Sequence, residues 1–306
     1  MLTQIRNILL FAAGVAVLFT SCASSKKDGL SYKPLENALL WKIEAKGVKK
    51  PSYLFGTIHI IDEEDFFLPK GTEQSLQKSE KVVFEIDMKE MNDVSAVMGM
   101  MGKIFMKDNK TISDLLSPED YALVSNFFQK KGLPIFMLER MKPMFLTIFT
   151  YGDFQPDDMK NGKLKSYEME FMEMAQEAGK PTGGLESIEF QINIFDKIPY
   201  DVQAAMLVEA IKSGDGKESQ ELQSMVKMYR TQNIEMMASS ISQEGQDMSG
   251  FEETLLTERN KNWIPLIAEE MKRQPTFFAV GAGHLAGQQG VIHLLRKSGL
   301  KVSPVR

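Results

Sequence analysis

Two residue types that carry much of protein chemistry are scarce in this chain. Of 306 residues one is cysteine, Cys22, and three are histidine, His59, His284 and His293. A single cysteine excludes an internal disulfide framework, a cysteine-based zinc cluster and an iron–sulfur site. Three histidines confine any imidazole-rich site to these positions. A basic excess is missing too: 36 Lys and Arg stand against 41 Asp and Glu, a net charge of −5, so no nucleic-acid partner is implied. The patterns H-E-x-x-H, G-x-S-x-G and the Walker phosphate loop are absent. Gly281-Ala282-Gly283 with Gly287 only imitates a dinucleotide loop, because its third glycine comes one place late and His284 occupies the helix entrance. Methionine, by contrast, is plentiful at 21 residues, and its flexible thioether suits core and helix packing better than copper binding. With 43% hydrophobic residues, the length suits one large or two small domains.

Residues 1–21 read as a leader. Arg6 supplies a positive start, and Ile8 to Phe19 is an apolar run of 12 residues. That is short for a membrane span, which needs about 20 residues, and it suits a secretory signal. Thr20 and Ser21 then precede Cys22, so the segment resembles a bacterial lipoprotein signal whose cleavage leaves Cys22 as the acylated first residue. An ordinary signal with an incidental cysteine is the alternative. Residues 22–37 are polar, as a tether should be. The expectation is an exported chain, lipid-anchored to a bacterial membrane and facing the periplasm or exterior.

Along the remaining chain, Leu39 to Ala45, Ser52 to Ile61 and Lys81 to Asp87 read as strands, with a helix from Thr72 to Ser79 between the last two. From Met88 to about 240 the pattern is mostly helical, beginning with a segment to Met106 that carries six methionines. Ser117-Pro118-Glu119-Asp120 is a helix start. Helices are expected to about Lys131, over Phe136–Thr150, Tyr167–Ala178, Ile188–Phe195, Tyr200–Lys212, Glu218–Ser240 and Glu252–Arg273. Pro181 to Leu185 and Thr276 to Val280 look like strands, followed by a glycine-interrupted helix, Leu285–Ser298, and a strand, Lys301–Val305. The fold class is therefore α/β: a central sheet built from N- and C-terminal strand-loop-helix units, with a helical insertion at about 88–240. The domain is expected over 38–306.

Two segments match: Tyr53 to His59 (YLFGTIH) and Phe278 to His284 (FAVGAGH). Each has three apolar residues, a glycine, two residues and a histidine. A glycine at a strand end permits a sharp turn or a close approach, and strand ends are where open α/β sheets bind ligands. His293 lacks this context and reads as structural. Glu85 lies near the end of a compact strand, where a buried carboxylate needs a partner, a proton or a metal; alternation could equally turn it to solvent. His59, His284 and Glu85 would make a workable divalent-metal set. Arg259 and Asn260 fall on the apolar stripe of their helix with Leu256, Trp263, Ile264, Ile267 and Met271. That places an Arg either at the core edge or inward, against a carboxylate or a substrate anion. Glu186, between a strand and a helix, reads as a helix-start acid, a partner of Arg259 or a general base.

The segments LLWKIE, SYLFGTIH, VVFEID, GLESIEFQ, ERNKNW and FFAVGAGHLAGQQGVIHLLRKSGLKV together resemble the TraB/GumN family, related to the Tiki metalloproteases and PrgY-type pheromone-shutdown proteins. The resemblance covers about 38–306. It implies an α/β fold with a near-duplication around the two histidine motifs. It also implies a shared site of His59, Glu85, Arg259 and His284, with Glu186 and Asn260 as further matching positions. The implied activity is metal-dependent peptide hydrolysis with manganese or cobalt, zinc remaining open, and a peptide or protein substrate. In that scheme Arg259 stabilises an anion and Asn260 orients it. A non-catalytic module that sequesters a peptide is the alternative.

Overall fold

The computed structural model describes residues 32–89, 99, 102–150, 161–213, 218–244 and 253–306. The expected export signal, Cys22, most of the tether and most of the methionine-rich stretch lie outside these residues. Among the described residues eight strands form: β1 (Leu40–Glu44), β2 (Ser52–Thr57), β3 (Ile61–Asp62), β4 (Lys81–Ile86), β5 (Leu164–Lys165), β6 (Thr182–Glu186), β7 (Thr276–Gly281) and β8 (Lys301–Pro304). The longer helices are α1 (Thr72–Lys78), α2 (Pro118–Lys130), α3 (Tyr167–Glu177), α4 (Ile188–Phe195), α5 (Tyr200–Ser213), α6 (Glu218–Arg230), α7 (Ile234–Glu244), α8 (Glu258–Arg273) and α9 (Val291–Lys297).

Six strands make one sheet in the order β6-β4-β7-β2-β1-β8. The four from β6 to β2 are parallel, and β1 and β8 close one side in antiparallel pairing. Every residue of β2 is buried, and all of β7 except Gly281. Such uniformly buried strands need cover on both faces, which is the usual setting of parallel sheets. Phe55, Tyr167, Phe171 and Phe277 interlock beneath that cover, with Phe55 and Phe171 edge to face at 4.9 Å. Each such ring contributes about 1.5–3 kcal/mol by burial. The register leaves Thr57 level with Gly281 and Ile86 level with Glu186, so four parallel strands end on one rim.

The middle of the chain is not a purely helical excursion. Its segment β6 joins the main sheet, and β5 pairs with β3 in a two-stranded ladder, Ile61 opposite Lys165. Tyr167, Phe171, Tyr229 and Ile234 join the main core, while Ile112, Val124, Phe128, Leu146 and Leu207 pack a second one.

Four expected helices are broken. Pro143 takes the first position of a new turn, Pro143–Leu146, so 136–150 divides into short pieces. Gln232 adopts φ +55°, which divides 218–240 into α6 and α7, and Asn233 caps the second piece through Met236 N at 3.0 Å. A five-residue π turn, Glu253–Thr257, precedes α8. After β7 the chain makes only a short 3-10 turn at Ala282–His284 and resumes a helix at Val291, because Gly287 (φ +88°) interrupts it.

Candidate active site

The rim of the parallel strands gathers side chains from distant parts of the chain. Glu85 lies near the end of β4, and Glu186 is the last residue of β6. His59 follows β2 by two residues, and His284 follows β7 by three. Arg259 and Asn260 stand in the first turn of α8. The two histidine motifs pack on each other through Gly56: a Cβ there would come within 2.6 Å of Leu285 Cδ1 and 3.1 Å of Ala282 Cα. Gly281 plays a matching part, since a Cβ on it would meet Glu85 Oε1 at 3.2 Å. The glycines of both motifs are therefore close-approach positions.

Arg259 is the centre of the cluster. Its Nε donates to Glu186 Oε1 at 2.9 Å, and its Nη2 donates to the same oxygen and to Glu85 Oε2, each at 2.5 Å. Its Nη1 donates to Leu255 O and to His284 Nε2, each at 3.2 Å. These five bonds match the five donors of a guanidinium. The sequence left Arg259 between a carboxylate partner and a holder of substrate anion; the structure makes it the partner of two carboxylates. Side-chain exposures of 11%, 12% and 6% for Arg259, Glu85 and Glu186 put the triad out of bulk water. Trp263 completes the floor: its Nε1 donates to Glu186 Oε2 at 3.0 Å, and the Arg259 guanidinium lies 4.9 Å from its ring centre. Gln191 bridges the two carboxylates, at 2.7 Å to Glu186 and 3.2 Å to Glu85.

The Asn260 side chain is directed at His284. Its Oδ1 accepts from His284 Nδ1 at 2.6 Å, and its Nδ2 donates to Gln289 O at 2.8 Å. That fixes the imidazole with its proton on Nδ1 and its Nε2 lone pair toward Arg259. Burial pushes the His284 pKa down, to about 3; the nearby guanidinium adds to that effect and Glu85 opposes it. Burial also disfavours the charged form of Glu85, yet the surrounding positive groups prevail and hold its carboxyl well below the usual range. Because His284 is uncharged at neutral pH, Arg259, then His59, then the Gly281 N–H, 2.7 Å from Oε1, carry that stabilisation.

His59 stands apart. It exposes 73% of its side chain, and its Nδ1 donates to Glu168 Oε1 at 3.0 Å. That bond, with the charge of the Glu168 carboxylate, raises the pKa of His59 to about 9. His59 and the Glu85–Arg259 pair line one cavity of about 460 Å³, walled by apolar residues including Phe84, Met88, Met169, Ile194 and Leu255. Glu168 was not singled out by the sequence, where it is one of several acids on an amphipathic helix. The only local clue is its place one residue inside a helix start capped by Ser166. His293 lies elsewhere, buried in α9 with its ring edge-on to Tyr32 at 5.3 Å.

A divalent ion bound by protein side chains needs several donors around one point. His284 Nε2 and Glu85 Oε1 are 3.8 Å apart, but Arg259 Nη1 stands beside that nitrogen and His59 is engaged by Glu168. Among the described residues no group of three His, Cys, Asp or Glu side chains is gathered closely enough to hold an ion. The set His59, His284 and Glu85 is thus not assembled as a coordination sphere. Two carboxylates against one guanidinium do leave the floor with an excess of negative charge.

The sequence profile of the TraB/PrgY/gumN family matches residues 39–304. Metalloprotease TIKI1 of Danio rerio is 22% identical over 316 residues, covering 87% of this chain and 63% of that protein. Metalloprotease TIKI1 of Homo sapiens is 21% identical over 317 residues, covering 87% and 61%. A metalloprotease TIKI homolog of Amphimedon queenslandica is 21% identical over 326 residues, covering 89% and 62%. The chain spans about three fifths of the length of the curated relatives it matches. No solved structure matches it.

Proposed function

The chain belongs to the TraB/PrgY/gumN family, and we propose that it is an exported, lipid-anchored peptidase of the metalloprotease type. The observation that carries this reading is the convergence of Glu85, Glu186, Arg259 and His284, from four separated segments, into one hydrogen-bonded cluster at the strand ends, of which Glu85 and Arg259 line the cavity. Buried charge is costly, and a catalytic centre is where such a cost is commonly maintained. The relatives' printed name adds proteolysis and a metal. The apolar walls point to a peptide with a bulky apolar side chain beside the reacting bond.

In this reading Arg259 holds two carboxylates in place and Asn260 holds the His284 ring. His59, raised in pKa and open to the cavity, supplies a proton to the departing amine. Glu85, held low, is a weak base on its own; the expected dependence of turnover on an added divalent ion rests on the relatives' printed name. One observation favours a second reading, capture without cleavage: every donor of Arg259 is already used within the protein.

The deciding experiment incubates purified protein with a mixed peptide library, with chelator or with manganese, cobalt or zinc, and identifies products by mass spectrometry. Cleavage that appears with metal and disappears in a His59→Ala/His284→Ala double variant supports the peptidase. Intact peptides retained by the wild type with no product support capture and overturn it.

A further inference from the structure

We propose that Glu168 is a positioning residue of this site, doing for His59 what Asn260 does for His284, so that the middle of the chain completes the site rather than decorating it. The kinetic part of this inference rests on the peptidase reading; the structural part does not.

Three observations carry it. The first is the bond itself. Glu168 Oε1 receives His59 Nδ1 at 3.0 Å and Thr57 Oγ1 at 2.7 Å, and Ser166 Oγ donates to Oε2 at 3.1 Å. Both oxygens are thus tied, and a carboxylate 14% exposed is kept ionised and directional.

The second is the scaffold that brings the partners together across 109 residues. The short strand β3 begins two residues after His59, and β5 ends three residues before Glu168. They pair as Ile61 with Lys165 and Asp62 with Leu164, and Glu63 N donates to Lys163 O at 2.9 Å. A two-residue ladder adds little stability by itself. Its effect is register, which delivers the first turn of α3 to the first histidine.

The third is the parallel with the second histidine. Asn260 also sits in the first turn of a helix, α8, and also accepts from the Nδ1 of its histidine. Each motif histidine therefore has its Nδ1 edge held by a helix-borne acceptor. The acceptors differ in charge: the carboxylate suits an imidazolium and the amide a neutral ring.

The test is nuclear magnetic resonance on protein labelled with 15N-histidine, where only three imidazoles contribute. The wild type is expected to show a hydrogen-bonded Nδ1–H for His59, absent in His59→Asn. That signal should vanish in Glu168→Ala while the His284 Nδ1–H persists and reports an intact site. A His59 signal missing from the wild type, or unmoved in Glu168→Ala, overturns the proposal. Should Glu168→Ala also lose the His284 signal, the isosteric Glu168→Gln is read instead. Its His59 N–H should exchange with water at least tenfold faster than in the wild type, and unchanged exchange overturns the proposal. If the wild type cleaves peptides, Glu168→Gln should lower kcat about tenfold with KM changed less than twofold, and should have no further effect once His59 is Ala. An equal further loss in that background rejects a role through His59. Failure of the wild type to cleave anything rejects the peptidase reading but leaves the resonance result to decide this one.

Discussion

At the scale of single residues, the site depends on one cation. Arg259 is planar and forked, and it meets Glu186 through two nitrogens while reaching Glu85, Leu255 O and His284. Lysine, a point charge, cannot satisfy that geometry. Arg259→Ala is expected to destabilise the fold by about 3–5 kcal/mol because it leaves two carboxylates buried without a counter-charge, and Arg259→Lys should recover only part of the loss; urea unfolding of the three proteins measures it. His284 makes a second expectation. Its folded pKa, about 3, lies below its unfolded value near 6.5. Between those values the unfolded chain binds a proton that the folded one refuses, so stability is present above pH 6.5 and falls as pH drops toward 3. By linkage the loss is at most roughly 5 kcal/mol. Chelator-treated protein unfolded at pH 7 and pH 4 should show it, and His284→Asn should flatten the slope; equal slopes reject the assignment.

Among the elements, the two histidine motifs behave as one packed unit. Gly56 touches the loop of the second motif so closely that an added methyl meets both Leu285 and the Ala282 backbone. Gly56→Ala should therefore cost about 1–3 kcal/mol through overpacking, seen as a lower denaturation midpoint with unchanged slope. The paired pattern of glycine and histidine was legible because it is local. So was the face of α8 that buries Asn260, Trp263, Ile267 and Met271, as its three- and four-residue spacing implies. The broken helices were less legible. Apolar periodicity runs on through 218–240, and the left-handed Gln232 that divides it has no strong residue signature. The glycine interruption of 285–298 was legible, whereas periodicity carried the expected helix 136–150 straight through Pro143, where the chain starts a new turn.

Over the whole molecule, the sheet order brings both termini of the domain together, with β1 and β8 paired and β2 beside β7. The mid-chain segment returns twice to that frame, through β6 and through β5. The proposed lipid anchor rests on the resemblance of residues 1–22 to a lipoprotein signal. Cys22→Ser is expected to abolish incorporation of radiolabelled fatty acid and to move the protein from the membrane to the soluble fraction; labelling that persists in the variant defeats the anchor. Neither outcome bears on the cavity chemistry, which is built from residues after position 58.

Composition and local pattern alone determined that this is an α/β chain with two matched strand-end histidines, a strand carboxylate and an Arg-Asn pair on the apolar stripe of a helix. Those signals are written within a few residues of each other, in burial, spacing and glycine placement. Only the tertiary structure decided what each group faces. It committed Arg259 to Glu85 and Glu186, turned Asn260 to His284, and gave His59 a partner in Glu168. Hydrogen bonds between residues 109 or 174 positions apart depend on strand order and register, and no short stretch of sequence specifies either.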